Sequence, residues 1–522
     1  MWYDENRNHT GNGKEVHMEK LYNNILLPDN FAGQPSDASH IPYLENPPAV
    51  IDVTVGRQLF VDDFLIAETS LVPEYHKAVK YGGNPVMKAE TPWEIAHSPV
   101  ACPKSGGVFY DEKEKLWKMW YEASWLGQMA YAISTDGIHW ERPDLDLEPG
   151  TNKILTFEGF ALDRMQGDLT YLRPDSTTVW IDDEGPADQR YKLFLRNPGG
   201  DYPGIVAVSD DGIHFRDFRY TTSVYDRSTM FYNPFRKKWV YSIRAGWKDR
   251  SRDYRECDDY LAGADWSREE AHHWLACDEL DLPDPYIRMN PQLYNVDCVG
   301  YESIMLGMFQ IMHGPENNFC EARGVPKITE LQPMYSRDGY HFSRPCREAI
   351  INASMMKGTW DRGYVQSVGG VCVIHGDELW IYYAGFGGDE THAGEPWFTN
   401  GIYRNGATGL AKLRRDGFVS MNGSGTLTTR PLTCTGKETL HINAEGMVKA
   451  EILAEDGTVM ASSEPFTGDS TNAMLQLNGF DIRTLNETVF RIRFTVEGKL
   501  YAFGFADGKG DFGGARAAGE VK

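Results

Sequence analysis

One seven-residue turn occurs three times in this chain and limits what the chain can fold into. Ser134-Thr135-Asp136-Gly137-Ile138-His139-Trp140 recurs as Ser209-Asp210-Asp211-Gly212-Ile213-His214-Phe215 and as Ser336-Arg337-Asp338-Gly339-Tyr340-His341-Phe342. A weaker copy is Arg415-Asp416-Gly417-Phe418. Asp-Gly supplies the positive-φ residues of a tight hairpin turn, and a strand-like segment precedes each copy. A second repeat lies upstream: Leu116–Tyr121, Tyr191–Leu195, Trp239–Ile243 and Leu379–Tyr383, each after a polar turn. Repetition at this spacing marks a repeated supersecondary unit.

Helical periodicity is scarce, whereas short runs of Val, Ile, Tyr, Phe and Trp are broken by Gly, Asp, Asn and Pro. Aromatic residues make up 12% of the 522, which suits strands. The repeats predict an all-β chain with four-stranded blades over 97–147, 172–220, 224–280, 288–347 and 362–421. Five such units close into a β-propeller that leaves only short edges. The expected division is an N-terminal arm over 1–50, partly disordered, a five-bladed β-propeller over 51–421 and a β-sandwich over 422–522. The segment from Val53 to Lys88 is expected to add the strand that closes the ring.

The chain carries 52 basic and 75 acidic residues, a net charge of −23. Such a surface repels phosphate backbones and anionic lipid, so nucleic-acid and membrane partners are not expected. A strongly anionic polysaccharide is disfavoured too, unless a local basic pocket receives it. The eight cysteines are scattered, with no CxxC and no metal-type spacing, so neither a disulfide framework nor a metal or cofactor is expected. No apolar leader and no membrane-length apolar run is seen, which points to the cytoplasm.

Three histidines share one position of the turn, and one site cannot use three equivalent turns. His139, His214 and His341 are therefore read as structural. The chemistry is sought at the starts of first strands, which converge on a propeller's central channel. Asp175-Ser176-Thr177-Thr178 and Asp226-Arg227-Ser228-Thr229 match there, 51 residues apart. Two acids thus face one funnel from adjacent blades. Blades one and five carry Lys104-Ser105-Gly106-Gly107 and Val368-Gly369-Gly370 instead, so the fold does not require the acid. Glu302 is the expected third carboxylate and Asp297 the runner-up. Cleaving a glycosidic bond needs one carboxylic acid to protonate the leaving oxygen and a carboxylate to attack or activate water. Arg227, Arg244, Trp120, Tyr301 and Asp297 are the expected substrate contacts, with Trp180 and Trp360 as further stacking platforms.

The runs LFVDDFLI, SGGVFYDEKEKLWKMWY, STDGIHWERP, DRSTMFYNPFRKKWVYS and GLAKLRRDGFVSMNG resemble bacterial proteins similar to glycoside hydrolase family 32, over roughly residues 50 to 520. That superfamily holds β-fructofuranosidases, α-L-arabinofuranosidases and β-xylosidases. The resemblance implies a five-bladed propeller with an Asp, Asp, Glu set on successive blades. By blade order, Asp175 would be nucleophile or base, Asp226 transition-state stabiliser and Glu302 acid. The W-M-N-D-P-N-G and R-D-P signatures of invertases are absent. The turn also resembles the sialidase aspartate box, with one residue fewer between Asp and Gly. The implied activity is hydrolysis of terminal sugars, furanosides favoured, from an oligosaccharide. Two other readings stand beside it. One is a non-catalytic sugar- or protein-binding propeller. The other is a mannoside phosphorylase-like enzyme using Arg227, Arg244 and Arg288 as a basic pocket.

Overall fold

The computed structural model describes residues 8–9, 15–154, 175–196, 203–396 and 399–522. Helix is confined to single turns such as Pro42–Glu45, Pro92–Ile95 and Asn317–Glu321. Five antiparallel sheets follow one another along the chain, and each starts with an inner strand. Blade two is the regular case, with Asp175–Ile181, Tyr191–Arg196, Pro203–Ser209 and Arg216–Ser223 paired in order. Blade three repeats it with Thr229–Asn233, Lys238–Ala245, Ser251–Cys257 and His272–Leu275. Blade four has long strands, Gln292–Glu302, Ile304–Gly314 and Ile328–Ser336.

In blades one and five the inner strand is split in two. Ala101–Cys102 and Val108–Asp111 both pair with Leu116–Ala123. Gly363–Gln366 and Val373–His375 both pair with Glu378–Phe386. The ring closes where Val79–Lys80 joins the outer edge of blade five, on Gly406–Arg414. The closing strand thus comes from an early segment, which leaves the last blade with no open edge.

The Asp-Gly repeat proves to be the fastener between blades. In each full copy the Ser hydroxyl and the Asp carboxylate take the backbone N–H groups of the turn, and the His ring closes onto the same Asp at 2.7, 2.6 and 2.7 Å. The histidines therefore hold their own turns. A neighbouring blade then donates into the turn. Trp120 Nε1 reaches the Gly212 carbonyl at 2.8 Å, Trp274 Nε1 the Tyr340 carbonyl at 2.8 Å and Tyr382 Oη the Gly137 carbonyl at 2.7 Å. At the weaker copy, Tyr301 Oη donates to Asp416 at 2.6 Å. A side chain at Gly212 would strike the Trp120 ring, so the turn must be bare there. One continuous apolar core runs through all five blades.

The eight strands of the C-terminal part are hydrogen-bonded into one continuous sheet. Its strands are long, Thr439–Leu453 and Arg491–Ala506 among them. Four glycines stand in a row across it: Gly423 opposite Gly498, Gly498 opposite Gly446, Gly446 opposite Gly468. All have φ between 94° and 144°, where an L side chain is strained. This row creases the sheet so that its halves enclose a second core.

The domain boundaries are more entangled than the sequence suggests. Gln58–Leu59, Ile66–Thr69 and Val72–Tyr75 belong to the creased sheet. Residues expected in a loose arm, Leu21, Ile25, Leu27, Ile41 and Tyr43, are buried in its core. At the other end, Ala515–Arg516 returns to blade four and Glu520–Val521 to blade five.

Candidate functional site

The inner strands do not run straight into the channel. Blades two, four and five carry register shifts at their starts, at Asp175/Thr178, Leu293/Asn295 and Gly363/Gln366. Ser105, Ser176, Arg227 and Tyr364 have φ of 62°, 60°, 57° and 49° at the corresponding places. Non-glycine residues pay for such backbone with strain, and strain of this kind collects at functional sites. Here it swings side chains from successive blades toward one axis.

They meet in a funnel-shaped cavity of about 450 Å³. Asp226, Arg227, Arg244, Arg250, Tyr294, Lys327, Tyr364 and Tyr403 line it, with Trp125 and Met289. Of its two carboxylates, Asp226 is half-buried and Glu316 exposed. Arg244 pairs with one Asp226 oxygen and Arg250 donates to the other at 3.2 Å. Burial alone would push this carboxyl up, but Arg250 and then Arg244 outweigh it and hold it well below the usual carboxylate range. Asp226 is thus ionised at any physiological pH.

Arg250 joins Asp226 to a phenol cluster. Tyr294 and Tyr364 share a hydrogen bond of 2.7 Å, and Lys327 Nζ lies 3.4 Å from Tyr294 Oη. Lys327 also sits over the rings of Tyr294, Tyr364 and Tyr403 at 5.0–5.7 Å. Arg250 stacks on Tyr294 at 4.0 Å. Burial raises the Tyr294 pKa, but Lys327 and Arg250 more than reverse this and bring it below the ordinary phenol value.

The sequence-derived candidates divide. Asp226, Arg227 and Arg244 come together in the funnel. Asp175 opens the equivalent strand of blade two, paired with Arg196, and its side chain lies outside the described residues. Asp297 is buried deeper in the channel. Its Oδ2 accepts from Ser105 and Asn295, both at 3.1 Å, and from Ser367. Ser105 in turn accepts from Arg227 at 3.3 Å. Burial pushes the Asp297 carboxyl up.

Glu302 is not in the funnel. It ends the eleven-residue strand whose other end carries Tyr294, roughly 26 Å away at about 3.3 Å per residue. Its carboxylate is bound by Arg415 at 3.0 Å and by the Arg57 backbone N–H at 3.1 Å, in a separate cleft against the creased sheet. Two further expectations need correction. Trp120 is fully buried and ties blade one to blade two, so no sugar face is open on it. Tyr301 is fully buried too, with its hydroxyl spent on Asp416. Trp180 packs edge-on against Phe109. Arg288 is exposed, outside the residues that line the funnel, and bonds the Pro285 carbonyl at 3.3 Å. An E-C dipeptide, a further invertase signature, occurs as Glu256-Cys257, but Glu256 is engaged by Arg236.

Sequence reasoning missed Arg250, Tyr294, Lys327, Tyr364 and Tyr403. The first-strand alignment could have found Tyr364, had blade five been registered on Gly363–Gln366 rather than on Val368-Gly369-Gly370. Arg250 and Lys327 lie just ahead of third strands, where no repeat marks them. Among the described residues, no group of three His, Cys, Asp or Glu side chains could hold a metal ion, and no helix is long and apolar enough to cross a membrane.

Fold and cavity together define a five-bladed β-propeller with a polar, cation-rich funnel at its axis. No family model and no curated protein sequence matches the chain. Solved structures that it resembles include an N-acetylgalactosamine deacetylase from F. plautii, at 14% identity over 67% of this chain and 96% of that one, with a TM-score of 0.41. A β-1,2-mannobiose phosphorylase from Listeria innocua is similar at 12% identity over 64% and 96%, TM-score 0.41. An endo-1,4-β-xylanase from Bacteroides thetaiotaomicron is similar at 9% identity over 62% and 96%, TM-score 0.39.

Proposed function

We propose that this protein is a carbohydrate-active enzyme that cleaves terminal sugars from oligosaccharides, furanosides favoured, in the funnel at the propeller axis. The observation that carries the reading is Asp226, a carboxylate held ionised by two arginines at the wall of a cavity of sugar-binding size. A glycosidic bond breaks through an oxocarbenium-like transition state, and a fixed anion beside the ring stabilises that positive charge. Asp226 cannot supply the proton that the leaving oxygen needs, because it holds none. That role falls to a partner carboxyl, and we assign it to Asp175, which opens the equivalent strand of the adjacent blade. The phenol hydroxyls of Tyr294 and Tyr364, at the wall of the funnel, supply hydrogen-bond partners for the sugar.

The test is turnover on nitrophenyl furanosides and pyranosides and on short fructans, arabinans and mannosides. Release of monosaccharide from one class supports the reading and names the sugar. No release from any of them leaves a binding propeller in its place.

A further inference from the structure

The funnel holds more positive charge than its carboxylates balance. Arg227, Arg244, Arg250 and Lys327 line it against two carboxylates, Asp226 and the exposed Glu316, and Arg252 binds the Arg227 carbonyl from outside the lining; Arg227, Arg252 and Lys327 are almost fully buried. Arg244 and Arg250 meet a carboxylate, and it is the same one, Asp226. Among the described residues, no carboxylate forms an ion pair with Arg227, Arg252 or Lys327, although the buried Asp297 acts on Arg227 and Arg252 from nearby, linked to Arg227 through Ser105. Their donors go to neutral acceptors instead. Arg252 binds the carbonyls of Arg227, at 2.6 Å, and of Tyr294. Arg227 binds the hydroxyls of Ser176 at 2.9 Å and Ser105 at 3.3 Å, and the Lys104 carbonyl at 3.4 Å. Lys327 has one phenol at 3.4 Å. The Nε atoms of Arg227 and Arg252 are buried with no partner.

Buried cations without counter-charge are costly. Burial, with the neighbouring charges of Arg250 and Arg227, drives the Arg252 pKa well below its ordinary value, yet a guanidinium keeps its proton. The crowding is all the more pointed in a chain with a net charge of −23. Arginine forks and an ammonium converging from several elements are the chemistry that binds a carboxylate or a phosphate.

We propose that the funnel contains an oxyanion subsite, built by Lys327, Arg227, Arg250 and Arg244, that receives an anionic group during the reaction. Two sources share this chemistry: the carboxylate of an acidic sugar, and free inorganic phosphate. The sugar half of the proposal rests on the glycoside reading above. The anion half stands on the charge of the cavity alone.

Titration calorimetry on the full chain compares glucuronate and galacturonate with glucose and galactose, and adds inorganic phosphate as a separate arm. Lys327→Met runs beside the parent, with the half-exposed Arg244→Gln as a second variant should the buried one fail to fold. At least one oxyanion is expected to bind about tenfold more tightly than the neutral sugars, the size of one charge-assisted contact. The variants are expected to remove that margin, and added salt to shrink it. A uronate preference assigns the subsite to an acidic substrate, and binding of phosphate alone assigns it to a phosphate co-reactant. Equal binding of charged and neutral probes overturns the proposal. Oxyanion binding with no turnover on any glycoside keeps the subsite and removes the glycosidase reading. Turnover with no oxyanion preference does the reverse.

Discussion

Lys327 Nζ lies 3.4 Å from the phenol oxygen of Tyr294, inside a wall formed by Tyr294, Tyr364 and Tyr403. The ammonium sits where water is scarce, so its field is weakly screened. It therefore favours the tyrosinate form of Tyr294 despite the cost of burial, and Arg250 acts in the same sense from the ring face. An ionised carboxylate and an acidified phenol thus line the same funnel, joined by Arg250.

The phenol gives the first prediction. On raising pH, tyrosinate absorbance should show one tyrosine titrating below the ordinary phenol pKa of about 10. Buried tyrosines elsewhere in the propeller, such as Tyr241 and Tyr254, are pushed up by burial and should titrate late. Tyr294→Phe should remove the early step and leave the late ones.

Stability should respond to pH through the paired carboxylates. Burial raises the Asp111 carboxyl, but Arg190 and Lys118 outweigh it, and Asp281 is lowered likewise by Arg344. An acid whose folded pKa is depressed contributes stability that is present above its unfolded value, about 3.9, and is lost as pH falls through the folded value. Asp297 and Glu302 are raised by burial and act in the opposite sense, disfavouring the fold as pH rises past their unfolded values. Depressed carboxyls outnumber raised ones among the described residues, so the melting temperature should fall steeply below about pH 4. Thermal melts as a function of pH check it.

Trp120 separates packing from catalysis. Its ring is fully buried between blades one and two and its Nε1 reaches Gly212 at 2.8 Å. Trp120→Ala should cost about 3–5 kcal/mol of stability, read by denaturant unfolding. Trp120→Phe keeps most of the packing and should cost mainly the hydrogen bond, about 1 kcal/mol. Neither change should alter KM in the protein that remains folded.

The crease in the C-terminal sheet makes a sharper demand. A Cβ on Gly498 would lie 2.1 Å from the Glu445 carbonyl oxygen, at a φ of 139°. Gly498→Ala should cost about 3 kcal/mol or more. Because Ala515–Arg516 and Glu520–Val521 leave this sheet to pair with blades four and five, the loss should reach the propeller. A single unfolding transition, shifted downward, is the expected trace.

What the sequence made legible follows from periodicity. Turns built from Ser, Asp-Gly and an aromatic recur because every blade needs the same fastener, so blade number and second strands could be read directly. Asp226 and Arg227 were reachable because two blades share the D-x-(S/T)-T start, and Arg244 because it lies on the next strand of the same blade. Glu302 misled for a physical reason: blade four has eleven-residue inner strands, and nothing in local pattern says which end faces the funnel. Trp120 and Tyr301 look like platforms in sequence, yet large aromatics are also what fastens adjoining blades. Arg250 and Lys327 lie outside the repeat, and their role depends on where the third dimension brings them. The C-terminal layers were legible from alternating strands and their turns, but the glycine row hid that the hydrogen-bond ladder runs on through it.

The most direct measurement compares Asp226→Asn and Glu302→Gln with the parent on whichever glycoside the parent cleaves, beside melting curves for all three. Asp226→Asn is expected to lower kcat by about 10²–10³ while remaining folded. Glu302→Gln, altered in a different cleft, is expected to keep its turnover and lose only stability. Turnover that survives in Asp226→Asn but disappears in a folded Glu302→Gln would contradict a site in the funnel and move the active site to the cleft against the creased sheet.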